Sequence, residues 1–317
     1  MKWIIFIISL LILLFLSIAG SNNQKSKPGN DNFTGIKGKI IFSSGNSIDL
    51  YAYPDLFQKF LNKKIIIASA PVDSRGKFSF SFNFYQSSAF DLKIGNRILA
   101  SNLFLCPGDQ LTINFPDTAK GPEITSNAKG GRNNRFLLLF NEKFFKDPKT
   151  MRDYYINSNF LPINEYVEFL KTRRTNQFKL YEEFFAESPP EEVFSTYIQS
   201  EINYQYALDK LMYLWKKGIK NKQVYTGSDY YDFLSQDFIE NPVALNSPSY
   251  VHFLNLYFTN LYEEHLLKIQ QPKTLNRVDL TFEKLMVAKQ IFSGLSLHVI
   301  TLNILNDESN SVDSKNG

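Results

Sequence analysis

Lys77-Phe78-Ser79-Phe80-Ser81-Phe82-Asn83-Phe84-Tyr85 alternates apolar ring and polar side chain along its length. Successive side chains of a strand point to opposite faces, so Phe78, Phe80, Phe82 and Phe84 share one face and Ser79, Ser81 and Asn83 the other. One strand cannot shelter four rings, and a second layer is required. The companions lie on both sides in sequence. Gly38–Phe42, Ile48–Tyr53, Lys64–Ser69, Phe90–Ile94, Ile98–Leu105 and Gln110–Phe115 are short runs rich in Ile, Phe, Tyr and Val. Asp73-Ser74-Arg75-Gly76 and Pro107-Gly108-Asp109 have turn chemistry, because Gly tolerates positive φ and Pro sets φ near about −65°. Strands at this spacing predict an antiparallel β-sandwich over residues 34–126.

Downstream the apolar period changes to three and four, which predicts an all-α region over residues 127–305 and a fold class of α+β by segregated domains. Ser188-Pro189-Pro190-Glu191 reads as a helix start, and Lys216-Lys217-Gly218 as its stop, giving a helix over Pro189–Lys217. Ser247-Pro248 opens another, bounded by Pro272. Asn133–Phe145, Asn164–Ala186, a short stretch capped by Ser228, Val278–Phe292 and Leu295–Leu305 complete the region. Residues 306–317 are polar and read as a disordered tail.

Upstream, Met1-Lys2 precedes a charge-free, mostly apolar run from Trp3 to Ala19, then polar residues 20–33 that read as a linker. That is the pattern of a signal peptide, with Ser17 and Ala19 as the small residues of a cleavage site after Ala19. The run is long enough to serve instead as an uncleaved anchor. The junction carries no Cys for lipid attachment. Either way the expected location is exported, periplasmic or in the cell envelope, with membrane contact only through residues 3–19.

Composition restricts the chemistry. The chain of 317 residues has three His and one Cys, which argues against a zinc cage or a Cys-X-X-Cys pair, and no cofactor is expected. The formal net charge is only +4, with 27 Lys against 8 Arg, so no nucleic-acid partner is expected. The densest basic run, Lys216, Lys217, Lys220 and Lys222, sits where cations favour a helix C-terminus. His252 and His265 are thirteen residues apart, about 220° around a helix, so they cannot share one ion. His298 reads as a packed imidazole among Leu297, Val299 and Ile300. Asp73 and Asp109 read as turn caps, Gly130-Gly131 as a linker with an anion cradle before the next helix as the alternative, and Cys106 as a small buried hydrophobe with a reactive thiol as the alternative. No catalytic or metal-ligating residue is assigned. With aromatic residues at 15% of the chain, most rings belong to cores. Tyr154, Tyr155, Tyr204, Tyr206, Tyr225, Tyr230 and Tyr231 stand in polar contexts, where hydroxyls could line a surface for peptide or glycan.

Asp73-Ser74-Arg75-Gly76-Lys77-Phe78-Ser79-Phe80 and Leu103-Phe104-Leu105-Cys106-Pro107-Gly108-Asp109-Gln110-Leu111-Thr112-Ile113 carry a family resemblance. The chain resembles the N-terminal β domain and following helical region of exported, TlpA-like thiol-disulfide oxidoreductases of Bacteroidetes. In that family the resemblance implies a further, thioredoxin-like domain whose Cys-X-X-Cys performs dithiol exchange. Residues 1–317 contain no such motif, Cys106 falls in the β turn, and no catalytic residue carries over. The expected function is a non-enzymatic binding or accessory module of the envelope, with a protein, peptide or glycan as partner. The alternative is the accessory part of an oxidoreductase whose catalytic domain is lost or separately encoded.

Overall fold

The computed structural model describes residues 33–41, 47–116, 121–126, 129–217, 228–231, 233–268 and 277–313. The apolar segment 3–19, most of the 20–33 linker, Tyr225, Lys220, Lys222 and Pro272 lie outside them. Eight strands come first: β1 (Thr34–Ile40), β2 (Ser47–Ala52), β3 (Ile65–Pro71), β4 (Lys77–Phe82), β5 (Ser88–Ile94), β6 (Arg97–Leu105), β7 (Gln110–Phe115) and the two-residue β8 (Glu123–Ile124). They form two four-stranded sheets, ordered β4-β1-β7-β8 and β3-β2-β5-β6. A helical region follows, so the fold is α+β with the two kinds of structure segregated along the chain. Pairing is antiparallel except between β1 and β7, which run parallel because the chain returns to β1 only after laying down the other sheet.

The alternation at 77–85 works as its spacing demands. Phe78 and Phe80 are buried, Phe82 and Phe84 pack against the same core, and Ser79 and Ser81 face outward. Phe82 and Phe84 reach across the sandwich to Phe90 of the opposite sheet, with ring centroids 5.6 and 5.1 Å away. The turn before β4 is held by Asp73, whose Oδ1 accepts from the backbone N–H of Arg75 and of Lys77, both at 2.8 Å. Those two donors hold its carboxyl below the usual range. Gly76 completes the turn at φ +76°, where a Cβ would stand 2.0 Å from the Ile40 carbonyl oxygen.

Between β2 and β3 lies a short helix, α1 (Leu56–Phe60), capped by Asp55, which accepts from the Gln58 N–H at 2.8 Å. It is too short to show periodicity, but it fastens the sandwich to the helices. Phe60 joins a helical core cluster, and its carbonyl accepts from Asn303 Nδ2 at 2.8 Å. Its neighbour Lys59 is buried, donates to Asn246 Oδ1 at 2.8 Å, and has its ammonium pushed down to about 8 by burial. Below about 8 both folded and unfolded chains carry that proton. Between there and 10.5 the unfolded chain binds it more often, so stability rises with pH. Across that window wild type should therefore gain about 2–3 kcal/mol over Lys59→Met in urea unfolding. A flat difference would contradict the burial.

The helices are α2 (Lys129–Asn141), a π segment (Glu142–Lys146), α3 (Pro148–Phe160), α4 (Ile163–Phe185), α5 (Glu192–Lys216), α6 (Gln236–Ile239), α7 (Pro248–Lys268), α8 (Arg277–Ile291) and α9 (Gly294–Asp313). Several boundaries differ from the sequence reading. α5 begins at Glu192 rather than Pro189, because Pro190 disfavours helical geometry at the residue before it. Ser235, not Ser228, caps the next α-helix, accepting from the Phe238 N–H at 3.2 Å. α9 runs through Asp307 and Glu308 to Asp313, not ending at Leu305. No Gly or Pro interrupts it, and Glu308 Oε2 accepts from Thr281 Oγ1 at 2.9 Å.

Gly130 and Gly131 are no linker. They are buried in the first turn of α2, where a Cβ would lie 2.6 Å from the Asp109 carboxylate or 2.2 Å from the Ser126 carbonyl oxygen. Asp109, whose Oδ2 accepts from the Cys106 N–H at 2.8 Å, is a turn cap pressed against a helix. This close approach brings α2 onto β6. Leu103 and Leu105 face the sandwich core, while Phe104 points the other way into a helical cluster with Phe136, Phe194 and Tyr197. Phe33–Gly317 accordingly form one compact unit.

Candidate functional site

α1 and Phe104 fasten the sandwich to the helices at two places, and a cleft of about 360 Å³ opens beside them. Its sheet side is Asn62 and Asn102. Its helical side comes from α2 and the π segment (Leu137, Phe140, Asn141, Phe145), from α4 (Gln177), from α5 (Tyr197, Ile198, Glu201, Gln205, Leu208) and from the start of α7 (Pro248, Ser249, His252). On α5 the polar face is a matter of spacing: Tyr197, Glu201 and Gln205 recur every four residues and share one stripe. The π segment re-aims the end of α2. Phe144 turns inward, where its carbonyl accepts from buried Arg173 at 3.0 Å, while Phe145 reaches the cleft.

Asn102 sits at a bulge in β6, with φ +54°, and Asn62 follows α1 at φ +50°. Asn is the side-chain-bearing residue best suited to that left-handed region. Both are fixed from behind. Asp91 Oδ1 accepts from the Asn102 N–H left over by the bulge, at 2.8 Å, and from Lys64 Nζ, also at 2.8 Å. Lys64 in turn donates to Asn102 Oδ1 at 2.8 Å. Burial pushes the Lys64 ammonium below its ordinary value, and the facing Asp91 opposes that shift. On the other side Asn62 Oδ1 accepts from the Tyr53 hydroxyl at 2.5 Å.

Among the described residues Glu201 is the one carboxylate of the lining. Its Oε1 accepts from Ser247 Oγ and from the Ser249 N–H at 3.2 Å, and its Oε2 from Ser249 Oγ at 3.0 Å. Burial pushes its carboxyl up, and the serine donors and Lys64 pull it back. Gln177 is different. It is 3% exposed, and its Nε2 has no hydrogen-bond partner among the described residues. A buried donor without a partner costs about 1–3 kcal/mol, which an acceptor brought by a ligand would offset.

The tyrosines singled out in the sequence do not form one surface. Tyr204, Tyr206 and Tyr230 are buried, Tyr154 and Tyr231 half-buried, and only Tyr155 is largely exposed. Tyr154 donates to Asp209 Oδ1 at 2.7 Å, Tyr204 to the Phe238 carbonyl at 2.7 Å and Tyr230 to the Lys210 carbonyl at 2.6 Å. They look polar in sequence because their hydroxyls satisfy internal partners. Cys106 is half-buried beside the helical cluster, its Sγ accepting from Ser87 Oγ at 3.2 Å. Burial pushes its thiol up to about 12, so it is protonated at neutral pH and a poor nucleophile.

His252 lies at the cleft, while His265 stacks on Tyr262 with its Nε2 3.7 Å from Glu283, as two sides of one helix require. His298 is half-buried. Among the described residues no cluster of three or more His, Cys, Asp or Glu is placed to hold a metal, and no helix is long and apolar enough to cross a membrane. Sequence reasoning had found none of Asn62, Asn102, Asn141, Gln177, Glu201 or Gln205. Only the four-residue spacing of Tyr197, Glu201 and Gln205, which sets them on one stripe of α5, signalled its position. No family model, curated protein or solved structure matches the chain.

Proposed function

We propose that this chain is an exported, non-catalytic binding module of the cell envelope that takes a small polar ligand in the cleft between its sandwich and its helices. The observation that carries the reading is Gln177, an amide donor buried in the wall of that cleft with no partner among the described residues. The rest of the lining supports binding over turnover. Among the described residues of the lining Glu201 is the one carboxylate, and two serines already engage it. The apolar segment 3–19 with its small residues at Ser17 and Ala19 supports export. The resemblance to the N-terminal part of TlpA-like oxidoreductases of Bacteroidetes agrees, since that part is accessory to the thiol chemistry, and the protonated Cys106 argues against dithiol exchange by these residues themselves.

A thermal-shift screen of the full chain against neutral, acidic and basic small molecules and blocked peptides tests this. At least one compound should raise the melting midpoint, and Asn141→Trp, which fills the cleft from the end of α2, should abolish the shift. Shifts that survive Asn141→Trp, or none at all, would refute the cleft as a binding site. Recovery of the native chain from the cytoplasmic rather than the envelope fraction would refute export.

A further inference from the structure

Building on the cleft as the binding site, we propose that its ligand is an uncharged saccharide of one or two rings. Charge is the first argument. Among the described residues the lining holds Glu201 but neither Lys nor Arg, and the nearby Lys64 is already held by Asp91 at 2.8 Å, so an anionic sugar or phosphate would meet Glu201 without a cation committed to it. A basic ligand would meet a Glu201 whose charge already faces Lys64 and whose oxygens accept from Ser247 and Ser249.

The second argument is the kind and placement of the polar groups. Asn62, Asn102, Asn141, Gln177 and Gln205 are five carboxamides that together offer donors and acceptors, as ring hydroxyls do, although Asn62 Oδ1, Asn102 Oδ1 and Gln205 Nε2 also bond to Tyr53, Lys64 and Asp209. They arise from five different places in the fold and surround the cavity instead of following a line. An extended peptide would instead need a row of free backbone groups, normally a strand edge. The nearby edge, β6 at Phe104, is closed: Asn134 accepts from the Phe104 N–H at 2.8 Å and donates to its carbonyl at 2.7 Å.

Third, Phe145, 38% exposed, lines the same space beside the buried Phe140 and Tyr197, and the electron-rich face of an aromatic ring suits the C–H face of a pyranose. The unpartnered Gln177 Nε2 then takes a ligand hydroxyl or acetamido oxygen as its acceptor. The volume, about 360 Å³, falls near the lower end of the ~300–1,000 Å³ of small-ligand pockets and suits one or two rings.

Isothermal titration of the full chain with maltose, cellobiose, N,N′-diacetylchitobiose, a glucuronic-acid-containing disaccharide and blocked trialanine decides the matter. At least one neutral disaccharide should bind, about tenfold more weakly to Gln177→Leu and not measurably to Asn141→Trp, and the acidic disaccharide should bind at least about tenfold more weakly than the neutral one. If Gln177→Leu fails to fold, Asn141→Trp alone carries the comparison. Trialanine binding that Asn141→Trp removes, without any neutral disaccharide binding, would overturn the saccharide and leave the cleft standing. Equal binding of acidic and neutral sugars would also overturn it. Absence of any binding sensitive to Asn141→Trp would overturn both readings.

Discussion

Phe104→Ala should destabilise the chain by about 3–5 kcal/mol, the range for emptying a fully buried aromatic site. The side chain is completely shielded from solvent, stacked on Tyr197 at a centroid distance of 4.6 Å and edge-on to Phe194 at 5.5 Å. It belongs to a strand but packs with helices, so its loss opens a cavity at the joint between the two halves. Tyr197 also lines the cleft, and ligand binding should weaken together with stability. Urea unfolding read by both far-ultraviolet circular dichroism and tyrosine fluorescence measures the effect. A loss under about 1 kcal/mol would mean that the two halves are not joined through this ring.

Asn134→Leu, which keeps the branched heavy-atom skeleton, should cost about 2–5 kcal/mol, because the cost lies chiefly in the lost hydrogen bonds. Asn134 is fully buried on α2. It serves the N–H and C=O of Phe104 as a neighbouring strand would, and its Nδ2 also donates to the Gly130 carbonyl at 2.8 Å. The substitution leaves a buried backbone donor and acceptor of β6 unpaired at an edge that helices cover. Hydrogen exchange separates this from general loosening: the Phe104 amide should lose protection more than the amides of β2 at the sheet centre. Uniform loss, or a cost under about 0.5 kcal/mol, would refute the strand-like role of Asn134.

The two substitutions probe one joint by different means, since the first removes a ring and keeps the backbone bonds while the second does the reverse. Their combined cost should fall short of the sum, because once the joint has opened the second loss has less to remove.

The sandwich was legible because its signal is local. Alternation at 77–85, turn chemistry at Asp73–Gly76 and Pro107–Asp109, and β-branched or aromatic runs mark strands without reference to partners. The missed elements lack such a signal. β8 has two residues and α1 five, both too short for a period. α3 carries a proper cap, Asp147, which accepts from the Thr150 N–H and hydroxyl at 2.8 Å. Its large apolar residues Met151, Tyr155, Ile156 and Phe160 nevertheless stand in solvent, so the pattern expected of a buried face was absent.

The cleft was illegible for a different reason. Its carboxamides come from positions between 62 and 205, and nothing in their local sequence separates them from surface Asn and Gln. The tyrosines misled in the opposite way, since a hydroxyl in a polar stretch reads as exposed although Tyr204 and Tyr230 spend theirs on buried carbonyls.

From the sequence alone follow the elements that local chemistry dictates: the longer strands, the turns, most of the helices, and the scarcity of Cys and His that narrows the chemistry. Tertiary structure decided what depends on residues distant in the chain: the parallel pairing of β1 with β7, the insertion of Phe104 among helices, the side-chain rung of Asn134, and the gathering of five carboxamides around one cavity. The physical reason is range. Backbone propensity and side-chain period act over a few residues, whereas a cleft is a property of surfaces that meet only when the chain has closed on itself.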